Sequence, residues 1–265
     1  MLMAVRNNIK LIFDYFILNL KKEWKYKTSF FMQIIMMIFN DLFFIIQWKI
    51  IFDLVGSIGG YGFNEVILLW GIAAGGFGVS HAFFGGAWNI KDMVYDGKLD
   101  VFLTQPKNTL VNVCASSSDI SAIGDILYSY VALIIIGAPW YWYLLMPIVS
   151  ILSGLVYVSV YVAYASLCFY IKRGDAVAKS VEGTLTKVGN YPPAIFNFAT
   201  KLILFTIFPA FFYTFIPAQY VFLTPNIWWI LILVAGTLAW VCIAFFSFKI
   251  GLKKYNSGNL MSGRL

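Results

Sequence analysis

Residues 28–50 read TSFFMQIIMMIFNDLFFIIQWKI, an almost unbroken apolar run whose only charges are Asp41 and Lys49. As a helix it is long enough to cross a hydrocarbon core about 30 Å thick. Its hydrophobicity is continuous rather than alternating, so it does not read as a strand of a membrane barrel. In lipid the backbone must satisfy its own hydrogen bonds, which leaves the α-helix.

The rest of the chain repeats this pattern. Of 265 residues, 61% are hydrophobic and 12% charged, against about a quarter charged in a soluble domain. A soluble fold cannot hide so much apolar surface. Further spans are expected at 63–86, 111–137, 144–171, 194–215 and 227–248, giving an all-α integral membrane protein with six transmembrane helices. The third begins in polar sequence, and the fifth contains Pro209, with Lys201 near its start. Pro139 and the group Trp140–Tyr143 mark an interfacial turn, and Tyr191-Pro192-Pro193 ends a second basic loop that starts at Lys172.

Charge orients the spans. The N-terminal segment, both even-numbered loops and the tail from Lys249 carry nearly all of the 19 Lys and Arg, which outnumber 12 Asp and Glu. Lys49 is the one cation near the opposite ends. By the positive-inside rule both termini are cytoplasmic. The basic excess is thus a topology signal, not a nucleic-acid footprint.

The N-terminal segment divides by face. Val5, Ile9, Ile12, Phe13, Phe16 and Leu20 share one side, while Arg6, Lys10, Asp14 and Lys21 share another. This suits an amphipathic helix in the membrane interface, or else an exposed extension of the first span. Lys21, Lys22, Lys25 and Lys27, with Trp24 and Tyr26, then make an anchor at the cytoplasmic surface. Asp14 and Asn19 interrupt the run 11–20, and no small-residue cleavage site follows, so a signal peptide is not expected. The segments are 1–27 (interfacial), 28–248 (membrane) and 249–265 (tail).

Chemistry-bearing motifs are sparse. There is no phosphate loop, H-E-x-x-H or G-x-S-x-G. Cys114, Cys168 and Cys242 are too scattered for a disulfide framework or a thiolate metal site. Gly78-Val79-Ser80-His81 is similar to the serine motif of intramembrane proteases, but neighbours on a helix are expected to point apart, and no catalytic residue is assigned. Gly71, Gly75, Gly78, Ala82 and Gly85 form a smooth face that suits either a subunit or gating seam or packing within one chain. Asp41 and Asp125 lie in apolar surroundings, either contacting a pathway or paired with Lys49, Asn40 or a tyrosine. Between the second and third spans, Ile90–Tyr95 is expected as a short helix stopped by Gly97, with Asp92, Asp96 and Asp100 beside Lys91 and Lys98. It is either a docking site for a soluble partner or an ordinary loop.

Three runs carry a family resemblance. Residues 97–106, GKLDVFLTQP, resemble the G-x-[hydrophobic]-D-x-x-L-x-x-P element of type-2 ABC exporter permeases, through Gly97, Leu99, Asp100, Leu103 and Pro106. Tyr191-Pro192, Ile195-Phe196, Pro209 and Pro217-Ala218 resemble the family's run around span five, and Gly251, Tyr255, Ser257 and Gly258 resemble its tail. The polar start of span three departs from the pattern. The resemblance implies an ATP-driven exporter permease in the plasma membrane, with a cytoplasmic coupling helix made from Lys91, Asp92, Asp96, Gly97, Lys98, Leu99, Asp100 and Pro106. It implies a cytoplasmic ABC ATPase dimer holding ATP and Mg, a second permease, identical or more often diverged, and no cofactor in this chain. The aromatic-rich spans suggest amphipathic, lipid-like, drug or peptidic cargo. The alternatives are an ion-gradient-driven secondary transporter, for which no internal repeat is evident, and a non-transporting immunity or scaffold protein.

Overall fold

The computed structural model describes residues 2–256, with side chains from Arg6 onward. The side chain of Val5 and the Ser257-Gly258 end of the tail motif lie outside the described residues. Among those residues, regular structure is helical apart from one isolated bridge, Ile58 to Tyr61.

Helix α1 (Leu2–Trp24) is separated by a turn from α2 (Lys27–Val55), so it is not an extension of the first span. Helix α3 (Phe63–Phe84) runs through a 3-10 turn into α4 (Ile90–Tyr95), the short helix expected from sequence. Gly97, at φ +70°, then turns the chain into α5 (Asp100–Leu103). Only a residue without a Cβ takes that conformation at little cost.

The third span departs from expectation. It is broken into α6 (Thr109–Ala115) and α7 (Ile123–Ile135), with a bend of 79°. Ser116, Ser117, Ser118 and Asp119 cause the break, because short polar side chains compete for backbone bonds. The Ser116 hydroxyl donates to Val113 O at 2.7 Å, and Asp119 accepts from the Ser121 N–H at 3.1 Å. The same polar segment holds α1: the Tyr15 hydroxyl donates to Asn112 (2.9 Å) and Asn19 donates to Ser118 (3.1 Å).

Helix α8 (Trp140–Ala165) takes Trp140–Tyr143 into its first turn instead of leaving them as a loop. The expected basic loop after it is largely helical, α9 (Gly174–Val188). Ala178, Val181 and Leu185 bury one face of that helix, a stripe at helical spacing that outweighs its polar composition. The fifth span is also broken, into α10 (Phe198–Thr206), α11 (Ala210–Tyr213) and α12 (Phe215–Pro217), the last running into a π-turn to Leu223, with a bend of 68°. Pro209 has no N–H to continue the ladder. The Tyr164 hydroxyl takes up the Ile207 carbonyl at the break, at 3.0 Å. Helix α13 (Ile227–Leu252) closes the bundle.

Four stretches are long and apolar enough to cross a bilayer (α2, α3 with α4, α8 and α13), and each bent pair adds one more if counted as a span, giving up to six. Helix α3 is the centre. Val66, Ile67, Leu68, Leu69 and Ile72 are all within 1% of full burial, as befits a helix hydrophobic all round. It lies between α7 and α8, where its small residues let backbones approach. A Cβ on Gly71 would sit 2.8 Å from that of Ala132, and one on Gly76 would sit 2.8 Å from that of Ser153.

Gly78→Ala is the direct test of this packing. Its new methyl would meet Ala122 O at 2.7 Å and the Ile126 backbone nitrogen at 2.9 Å, neither of which is free to move. The expected loss is about 1–3 kcal/mol. Gly183→Ala on α9 meets nothing within 4 Å, and it should leave stability unchanged or raise it by up to about 1 kcal/mol. Thermal unfolding of the detergent-solubilised protein should give the two variants opposite signs or clearly unequal shifts.

Candidate functional site

Two regions gather the residues singled out from sequence. The first is the segment from α4 to α6. Ile90, Met93, Val94 and Leu99 are buried and anchor it to α8 and α13. Asp92, Asp96, Lys98 and Pro106 are exposed, as are the apolar side chains of Val101 and Leu103. Gly97 ends the helix, so Asp96 and Asp100 do not continue one face with Asp92. The Leu99 N–H instead returns to Met93 O at 3.2 Å. Tyr255 of the tail motif packs against the same core cluster as Leu99, so two resemblance motifs far apart in sequence meet in space.

Helix α9, which was not recognised from sequence, holds this segment from behind. Lys91 pairs with Asp175 at 3.2 Å, and the Tyr95 hydroxyl donates to Ile171 O at 3.0 Å. Desolvation pushes the Asp175 carboxyl up, but the Lys91 hydrogen bond and charge outweigh it and hold the group below its ordinary value. Further along α9, Glu182 accepts from Trp88 Nε1 at 2.6 Å and stands 3.8 Å from His81 Nε2. His81 lies between the rings of Phe77 and Trp88, with centroids 3.8 and 3.9 Å away.

Ser80 and His81 do not point apart, because the hydroxyl comes within 3.0 Å of Nδ1. They still do not form a nucleophile and base. Ser80 is fully buried and donates to Phe77 O at 2.7 Å, the carbonyl that His81 Nδ1 also reaches at 3.1 Å. The arrangement is a local helix-to-side-chain network.

The second region is a cavity of about 320 Å³ lined from α2, α3, α7, α9 and α11. It brings together Asp41 and Asp125, which are 84 positions apart in sequence (125 − 41). They are 4% and 3% exposed, and one carboxylate oxygen of each has no hydrogen-bond partner. Lys49 is not the partner of Asp41, since it pairs with Asp53 at 2.7 Å. The glycines lie elsewhere. Gly71, Gly75 and Gly78 press on Ala132, Ser129, Ser150 and Ile126 of α7 and α8, which is packing within one chain.

Long apolar helices joined by polar segments define a multi-pass helical membrane protein. The sequence model described as ABC-2 family transporter protein matches residues 28–259, and the chain belongs to that family. No curated protein and no solved structure gives a match. Membership makes this a multi-pass membrane component of transport, in a family that is generally not catalytic itself. It also implies the role of an ABC exporter permease associated with ABC ATPase subunits.

The Lys91–Asp175 pair gives a pH-dependent prediction. A carboxyl held below its unfolded value stabilises the fold above the ordinary carboxylate range, and the benefit is lost as pH falls through the folded value. Lys91→Met should therefore lower thermal stability slightly at neutral pH, and the difference from wild type should fade as pH falls through the lowered Asp175 value and vanish in stronger acid. A difference that persisted unchanged in acid would rule out the ion pair as its cause.

Proposed function

We propose that this chain is one half of the translocation pathway of an ATP-driven exporter in the plasma membrane, crossing it six times with both termini in the cytoplasm. The spans are α2, α3 with α4, the bent pair α6 and α7, α8, the bent pair α10 to α12, and α13. Helix α1 lies on the inner surface, with Ile9 and Phe13 exposed for lipid and Arg6, Lys10 and Lys21 turned to water and headgroups. The segment carrying Lys91, Asp92, Asp96, Gly97, Lys98, Leu99, Asp100 and Pro106 is the coupling element. The ATPase dimer grips it and supplies all nucleotide chemistry, with ATP and Mg held there. A second, diverged permease completes the pathway, and the cargo is amphipathic, lipid-like, drug-like or peptidic.

The observation carrying this reading is the split character of the coupling segment. Its inner face is fixed by Ile90, Met93, Val94 and Leu99, while Asp92, the Lys98–Asp96 pair, Val101 and Leu103 are exposed on the outer face. A rigidly backed, mixed-polarity surface suits transmission of a partner's movement. Nucleotide would act by favouring one of two permease states that cargo disfavours.

The test is association and turnover. The intact chain, co-expressed with its ATPase, should co-purify as a stable complex with ATPase activity stimulated by cargo. Scrambling residues 96–100 should abolish co-purification while Asp14→Asn leaves it intact. The two broken helices are also what an ion-driven secondary transporter would favour. Transport by the purified chain alone, driven by an ion gradient and indifferent to the scramble, would overturn the proposal.

A further inference from the structure

Among the described residues, the lining of the cavity between α2, α3, α7, α9 and α11 gathers several buried polar atoms without hydrogen-bond partners. Asp41 sits at the midpoint of the 29-residue α2, where an unpaired carboxylate is hardest to keep. Its Oδ2, the Oδ2 of Asp125 and the Oδ1 of Asn190 are three buried acceptors on the cavity lining, each without a donor. Asn190 is fixed in this pose because its Nδ2 donates to Thr186 O at 2.9 Å, which leaves the oxygen free. Buried polar groups are normally satisfied, so three orphans on one lining call for a partner.

Lys187 also lines the cavity, but its side chain is exposed and makes no ion pair with either carboxylate among the described residues. The rest of the wall includes the rings of Phe44 and Trp70, 4.3 Å apart, and Tyr213, with Asn40, Thr186 and the unpartnered Nε1–H of Trp70 as its other polar groups. Ala73 and Ala74 keep the space open where larger side chains of α3 would fill it.

From the three orphan acceptors beside these rings we infer that this cavity is a binding site for a primary ammonium group on a hydrophobic body. An ammonium carries three donors, matching the three acceptors in number. Its charge answers the two acids, and the ring faces favour a cation over a neutral group of the same shape. A purely apolar ligand would leave all three oxygens unpaired. The inference needs the membrane fold of the chain but not its coupling to an ATPase.

Calorimetry on the full chain in lipid nanodiscs, with empty nanodiscs as reference, tests it directly. The probes are 2-phenylethylammonium and the neutral 2-phenylethanol. The ammonium should bind saturably at one site per chain, and the alcohol about tenfold more weakly or worse, a difference of about 1.4 kcal/mol. Asp41→Asn and Asp125→Asn, which preserve shape, should each weaken the ammonium at least about tenfold, and the double variant should abolish its binding. Equal affinity for the two probes, no saturable binding of the ammonium, or wild-type affinity in the double variant would each overturn the proposal. If a variant fails to fold, the comparison of the two probes on the wild-type chain still decides. Normal ammonium binding without ATPase association would leave this site standing and remove the exporter reading.

Discussion

Everything in the bundle depends on how closely α3 is approached by α7 and α8. Lipid tails are as apolar as leucine, so no hydrophobic drive presses membrane helices together. What remains is contact between backbones and hydrogen bonding across the interface. Gly71, Gly75, Gly76 and Gly78 supply the first by leaving no side chain between the helices. Ser153 supplies the second through its hydroxyl, which reaches Tyr213 O at 2.7 Å and ties α8 to the broken fifth span. With α3 fixed in this way, α4 leaves it in a set direction and the coupling segment inherits its position.

Helix α9 joins the two candidate regions. Its first turn carries Asp175, paired with Lys91 behind the exposed segment. Its other end leads to Asn190 in the cavity wall. Between them Glu182 meets Trp88, and the Tyr213 hydroxyl donates to Leu185 O at 2.9 Å. A displacement at the exposed segment therefore has a packed, hydrogen-bonded route to the wall of the cavity that holds the buried acids. That is contiguity, and coupling would further require an element with two stable arrangements.

Much of this was legible from the sequence. Continuous apolar runs have one structural answer in lipid, so the long helices were plain. The stop at Gly97 was legible because a single residue type suits that backbone. What was hidden was polar and local. Ser116 to Asp119 looked like a weak start to a span, but they are a break whose neighbours dock α1 through Tyr15 and Asn19. Residues 174–188 read as a loop because Lys179, Lys187 and the neighbouring small polar residues mask the sparse stripe Ala178, Val181 and Leu185 that the fold buries. The union of Asp41 with Asp125 was beyond reach, since only the packing of α2 against α7 brings them to one cavity. Ser80 and His81 show the limit of wheel geometry, because a short side chain and an imidazole can meet above a shared carbonyl.

The interruption at Pro209 has a mechanical consequence. A continuous transmembrane helix behaves as a stiff rod, and tilting one end moves the other. Cut at Pro209, with the freed Ile207 carbonyl held by one phenol from α8, the fifth span becomes two short levers on a shared pivot. The lever before the break joins α9 only through residues 189–197, while the one after it is bonded to α9 and its end by Tyr213 and Thr214 and to α8 by Ser153.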